Sequence, residues 1–316
     1  MRETIKTINY GADITELDSY TSKIESSKGN GRINPENFRG HSHYTEEEIQ
    51  SDIEKVRVKQ NRTKSNTPAE MQFLSVAKFV EAGIIEAIKD AKWFGDSVKC
   101  IRPALYDDFF NGIDSILEFT ESPEQSNGRP KCTGLSIDFT TSHEEAGRKF
   151  MDTILRLLEK GPSKIKYFET TDSNGNVLRL KNLKLPRIIV ECSGELLMDT
   201  EEILLAYEEL NHDSTSLKRV ENCRFRFVMI KEILMQLRFI ADIFAKLEIP
   251  DVYRLYQQSL EHFERALQES HINSEDLDRL SGNHITFVDK LSKTTNSDQL
   301  ILILNHMKTH GMQKTA

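Results

Sequence analysis

The sequence predicts an α/β protein whose core runs helix, three strands, helix, strand, with a helical region behind it. Three observations predict this. The run TPAE at 67–70 has the form of a helix start, and GLSIDFTTS at 134–142 alternates with period 2 like a half-buried strand. From Glu195 onward the pattern is helical. One aspartate, Asp138, sits in the middle of that strand, and its purpose is the functional question.

The elements follow in order. Residues 1–66 are rich in Ser, Thr, Asn, Gly and mixed charge and poor in large aliphatics. They read as mostly disordered, apart from a short helix through TEEEIQSDIEKVRV. His41 and His43 have no third ligand nearby and read as solvated. Thr67 is an N-cap, Pro68 takes the first helical position and Glu70 lies three residues after the cap, opening a helix that extends to about Lys92. After Gly95, VKCI reads as a first strand. NGIDSILEF is a second, and CTGLSIDFTT a third beyond the turn-rich loop ESPEQSNGRP. Ser142 caps the helix HEEAGRKFMDTILRLLEK, which stops at Gly161-Pro162. Then IKYFET and LPRIIVEC are strand-like, with a polar turn at DSNGN between them. About five helical segments complete the chain, ending around LILILNHMK. Among them FRFVMIKEILMQLRFIADIFAKL is apolar nearly all round and is expected to be the central buried helix. The expected organisation is 1–66 N-terminal region, 67–194 α/β core and 195–316 helical C-terminal domain.

Bulk properties exclude several classes. A net charge of −8 over 316 residues argues against coating nucleic acid by overall electrostatics, although a basic cleft on an acidic body remains compatible. No 18-residue apolar run occurs, and Lys231, Glu232, Arg238 and Asp242 interrupt the most apolar helix, so no membrane span is expected. The first residues lack the apolar segment of a secretory signal. Cys100, Cys132, Cys192 and Cys223 lie far apart without metal-site spacing, which reads as reduced thiols of a cytoplasmic protein. Neither GxGxxG nor GxxxxGK[ST] is present, and no GxSxG element points to serine hydrolysis.

Three carboxylates fall on inward-facing positions. On the first helix, Leu74, Ala77, Ile85 and Ile88 share a stripe with Glu81 in its middle and Lys78 at its border. A rim glutamate paired with a basic neighbour would explain Glu81 without any function. On the second strand, Asp114, Ile116 and Glu118 form the face opposite Ile113, Ser115, Leu117 and Phe119. A one-sided antiparallel sheet would give the same alternation. Just upstream, the loop-like Tyr106-Asp107-Asp108 adds two further acids as extra ligand candidates. Taken together with Asp138, these acids would repel one another unless neutralised, and Mg²⁺ favours such oxygen donors. Magnesium with clustered carboxylates is the chemistry of phosphodiester hydrolysis.

At these residues the chain resembles the PD-(D/E)xK nuclease superfamily. The resemblance covers Thr67 to Cys192 and rests on topological order and short motifs: GID at 112–114, IDFT at 137–140, KYF at 166–168 and LPRIIV at 185–190. It implies a restriction-endonuclease-like αβββαβ core and Mg²⁺-dependent cleavage of DNA. Asp114, Asp138 and Glu81 would form the metal site. The family's strand lysine is replaced by Thr140, and the implied substitute is Lys149 on the following helix. Asp138 lies about 13 Å before the cap along a strand and Lys149 about 10 Å after it along a helix, so a helix folding back would bring them level. Lys149 nevertheless points roughly 110° from the centre of the apolar face Ala146, Phe150, Ile154, Leu157 and Leu158, as a solvated lysine would. Lys166 is the fallback cation, and His143 stands near the same strand end. The rival readings are an inactive nuclease fold used for binding or assembly, and an ordinary α/β domain with exposed carboxylates. The C-terminal helices would pack on the core or join two copies.

Overall fold

The architecture is built around the strand that carries Asp138. The computed structural model describes residues 21–22, 31–63, 67–120, 133–172, 175–192, 218, 220–272, 274–281, 301–302 and 304. Its helices are α1 (Glu46–Thr63), α2 (Pro68–Asp90), α3 (Leu105–Asn111), α4 (His143–Lys160), α5 (Arg224–Lys246), α6 (Pro250–Glu269) and α7 (Ser274–Ser281). Its strands are β1 (Val98–Ile101), β2 (Ser115–Phe119), β3 (Thr133–Thr140), β4 (Lys164–Thr171), β5 (Val177–Lys184) and β6 (Arg187–Glu191).

The main sheet has the order β1-β2-β3-β6. The first three strands are an antiparallel meander, whereas β6 runs parallel to β3 after the α4 crossover, with Asp138 opposite Ile189. Parallel pairing requires such a crossover, which α4 supplies. The core helices and strands expected from the sequence are present as a mixed α/β arrangement, with an added helix between β1 and β2 and a change in which strands share the sheet. The KYF segment does not join this sheet; β4 pairs with β5 in a separate hairpin inserted ahead of β6. Strand β5 escapes the period-2 reading because Asn182, at φ 56°, breaks the alternation. Leu180 and Leu183, three positions apart, consequently reach the same apolar cluster.

Thr67 accepts a hydrogen bond from the Glu70 N–H while the Glu70 carboxylate accepts from the Thr67 N–H, the full capping box that the sequence announces. Ser142 caps α4 with a single bond, its hydroxyl accepting from the Glu145 N–H at 3.3 Å. Leu105–Asn111 forms a helix where the sequence suggests a loop, ended by Gly112 at φ 63°.

Two expected boundaries are corrected. Residues 31–63 are ordered well beyond the short helix expected through TEEEIQSDIEKVRV, which is the first part of α1. A 3-10 turn at Pro35–Phe38 and helix α1 place Phe38, Tyr44 and Ile49 against Tyr167 of β4. Nor do the helices beyond residue 218 form a core of their own. Residues of α2, β1, β2, β3, α4, β6, α5, α6 and α7 share one buried cluster. The segments expected between Glu195 and residue 217, the loop at 121–130 and most of LILILNHMK lie outside the described residues. No helix among the described residues is long and apolar enough to cross a membrane.

Helix α5 is the central buried helix, and its two polar interior residues have a task. Strand β6 ends the sheet, so its outer N–H and C=O groups need partners. Gln236 supplies both for Ile189: its Oε1 accepts from the Ile189 N–H at 2.9 Å and its Nε2 donates to the Ile189 carbonyl at 2.6 Å. One turn earlier, Glu232 Oε2 accepts from the Glu191 N–H at 3.0 Å. Replacing Gln236 with Leu should strand both Ile189 groups in an apolar setting and lower stability by about 3 kcal/mol, read as a fall in the urea midpoint.

Candidate active site

Asp138 is only 2% exposed, and its two carboxylate oxygens are held from opposite directions. Lys149 Nζ, from α4, donates to Oδ1 at 2.6 Å and approaches the Phe139 carbonyl at 3.4 Å. The Arg187 guanidinium, from the first residue of β6, donates to Oδ2. Burial of a lone carboxylate is costly, and two cations remove that cost. The apolar face of α4 packs inward through Ala146, Phe150, Ile154 and Leu157, and Lys149 leaves the edge of that face and bends over the end of β3. Helical angle alone understated its reach, because a four-carbon stem spans the difference.

Asp114 is placed beside Asp138 by the backbone. Its N–H donates to the Ile137 carbonyl at 2.8 Å, continuing the β2–β3 ladder one residue beyond Ser115. The next N–H on β3, that of Phe139, then finds no carbonyl, and Asp114 Oδ2 accepts it at 2.6 Å. The side chain is thereby fixed at the strand end. Burial, followed by the negative charges of Glu81, Asp138 and Asp108, holds this carboxyl well above the usual carboxylate range. Among the described residues no ion pair reaches Asp114.

Glu81 and Asp108 form the rim. Arg32 spans the two, 2.8 Å from Asp108 and 3.5 Å from Glu81, while the buried Arg102 approaches Glu81 at 4.0 Å. Burial raises the Asp108 carboxyl despite Arg32. Glu81, Asp108 and Asp138 are therefore paired with Arg32, Arg102, Lys149 and Arg187, while Asp114 lies among them with its carboxyl raised.

Two other candidates are elsewhere. Asp107 is fully buried and accepts the backbone N–H groups of Lys166 and Tyr167, so it fastens α3 to β4 rather than serving as a ligand. Burial pushes its carboxyl up to about 6. Lys166 pairs with Glu48 and Asp52 of α1 and is committed away from Asp138. Thr140, standing where the resemblance implies a lysine, accepts a hydrogen bond from the Ser142 N–H at 3.4 Å. His143 Nδ1 lies 2.6 Å from Glu191, the residue beside Thr140 across the β3–β6 ladder.

Arg187 and Arg32 were not singled out from the sequence. Arg187 opens a strand immediately after Pro186, which gives no hint of a partner 49 positions upstream. Gly112 holds a clue visible only in three dimensions: a Cβ there would lie 2.5 Å from Arg187 Nη2. Cys100 and Cys192 are buried free thiols and Cys223 is a partly buried one, while Cys132 lies outside the described residues. Among the described residues, no three His, Cys, Asp or Glu side chains converge as a ready-made metal cage. Comparison with protein-family models, curated proteins and solved structures finds no match for this chain.

The raised Asp114 carboxyl has a consequence for stability. Folding favours its protonated form, so its contribution is fully present below about pH 4 and is lost as pH rises through the folded pKa. Asp114→Asn keeps an oxygen for the Phe139 N–H without the charge. The variant should match the wild type near pH 4 and become progressively more stable than it toward neutrality. Urea midpoints measured across that range provide the check.

Proposed function

We propose that this protein is a Mg²⁺-dependent, nuclease-like hydrolase of phosphodiester bonds, with DNA as its substrate. The observation that carries the reading is the Lys149–Asp138 contact at 2.6 Å, next to Asp114, at the end of β3. It supplies a cation where Thr140 leaves none, at the end of a strand flanked by β2 and β6 in the main sheet.

The residues suit the ion. All the acidic donors are carboxylate oxygens, the type that Mg²⁺ accepts. Asp114 is the member of the group whose charge is least compensated, and a divalent cation beside it would relieve the repulsion that raises its carboxyl. Asp114 and Asp138 would hold the ion, with Glu81 assisting directly or through water. When bound, it would polarise a phosphoryl oxygen and acidify a water. Lys149 would orient the attacking water and stabilise negative charge developing on the phosphate. The Phe139 N–H fixes the Asp114 carboxylate throughout, and Arg32 with Arg102 holds Glu81 at the rim.

A second reading is favoured by one observation. Both oxygens of Asp138 are engaged by cations, as they would be in a nuclease fold kept for binding or assembly. Cleavage assays separate the two. With Mg²⁺ or Mn²⁺, supercoiled plasmid DNA should be nicked, and Asp114→Asn, Asp138→Asn and Lys149→Ala should each reduce the rate about 100-fold or more. Mn²⁺ titrated calorimetrically in the presence of a phosphorothioate duplex should bind the wild type and not the Asp114→Asn/Asp138→Asn pair. Unchanged Mn²⁺ binding in the double variant would sink the proposal.

A further inference from the structure

The side chain of Arg187 is 11% exposed, and among the described residues its guanidinium makes one contact, with Asp138. Its Nε is enclosed and has no hydrogen-bond partner. A guanidinium has five N–H donors in a planar fork, and here the one on Nε is enclosed and unused. Its backbone is firmly held. The Arg187 N–H lies 3.3 Å from the Tyr256 hydroxyl, the Arg187 carbonyl 3.4 Å from it, and Tyr256 itself is fully buried on α6. The guanidinium passes beneath Gly112, where a Cβ would come within 2.5 Å of Nη2, 3.3 Å of Cζ and 3.7 Å of Asp138 Oδ2. Glycine at that position, required also by φ 63°, is what lets the side chain lie there.

The pairing at Asp138 shows what this arrangement does. With Arg187 on Oδ2 and Lys149 on Oδ1, both oxygens of that carboxylate are taken and neither is open to a divalent ion. Moving Arg187 to another anion frees one Asp138 oxygen. The anion that suits a planar fork with unused donors is a phosphate, which guanidinium groups bind bidentately.

We propose that Arg187 is the phosphate-binding residue of this site and exchanges Asp138 for a backbone phosphate of DNA, which opens Asp138 to the metal. This inference rests on the metal-dependent reading above and adds an order of events to it: substrate first, metal second. In the free protein Arg187 and Lys149 keep Asp138 closed. When a duplex supplies its phosphate, Lys149 alone remains on Asp138, and the freed Oδ2 becomes available to the cation. Metal affinity and DNA affinity are then coupled, each raising the other by the same factor.

The test is Mn²⁺ calorimetry on the full chain, with and without a phosphorothioate DNA duplex. In the wild type the duplex should raise Mn²⁺ affinity by about tenfold or more, equivalent to about 1.4 kcal/mol of coupling. Arg187→Gln should bind Mn²⁺ about tenfold more tightly than the wild type without DNA, bind the duplex more weakly, and lose the coupling. Arg187→Lys can still neutralise Asp138 but offers no planar fork. It should keep the weak DNA-free Mn²⁺ affinity while losing most of the coupling, and it carries the test if the glutamine variant does not fold. Tight Mn²⁺ binding by the wild type without duplex, unmoved by either substitution, would overturn the exchange while leaving the metal site standing. Absence of Mn²⁺ binding in every variant, with and without duplex, would overturn the metal-dependent reading itself and this inference with it.

Discussion

A carboxylate buried on a central strand must be neutralised by groups brought from elsewhere in the chain, and around Asp138 that requirement organises the molecule. Lys149 can reach it only if α4 folds back across the end of β3. Arg187 can reach it only if β6 lies parallel to β3 and Gly112 has no side chain in the way. The ion pairs therefore tie β3 both to the helix that follows it and to a strand 49 positions further along the chain. An ion pair of this kind contributes little net stability compared with apolar packing, yet losing one partner leaves a buried charge and is strongly unfavourable. It specifies an arrangement more than it strengthens one.

The second organising constraint is the exposed edge that β6 would present. A sheet edge needs partners for its backbone groups, and natural proteins cover such edges. Here the cover is a helix so apolar that its polar residues stand out. Gln236 behaves as a substitute strand residue for Ile189, and Glu232 does the same for Glu191 through one oxygen. Because β6 also carries Arg187, the helix that finishes the sheet also supports one wall of the carboxylate cluster. This is why the C-terminal helices cannot be separated from the α/β layers: they complete the same core.

Asp114 shows the opposite tendency, a residue kept in an unfavourable electrostatic state. Its carboxylate is useful to the backbone, since it takes the Phe139 N–H, but its neighbours are acids. Sites with a chemical task commonly hold such groups at a cost to stability, and structural networks can do so as well. In this protein the discriminating feature is position. Asp114, Asp138 and Lys149 meet at one strand end, whereas Asp107 and Lys166, equally conspicuous in the sequence, are used to tie α3, β4 and α1 together.

Local signals determined much of the result. The capping box at Thr67, the Ser142 cap, the alternation through β3 and the apolar circumference of α5 each depend on residues within a few positions of one another, so the sequence alone locates those elements. Asp138 was conspicuous for the same reason, as the one charge in an otherwise strand-like run. Long-range geometry decided the rest. Whether KYF or RIIVE lies beside β3 depends on an inserted hairpin whose second strand is disguised by Asn182, and residues 31–63 gain their order by packing on that hairpin. Lys149 had the right rise along its helix and the wrong angle, and only side-chain length and the real crossing of α4 resolved the conflict. Arg187 left no local trace, because a strand-opening arginine carries no mark of the carboxylate it will face. Periodicity reports which way a side chain points, but the partner it meets there is set by tertiary contacts between segments far apart in the chain.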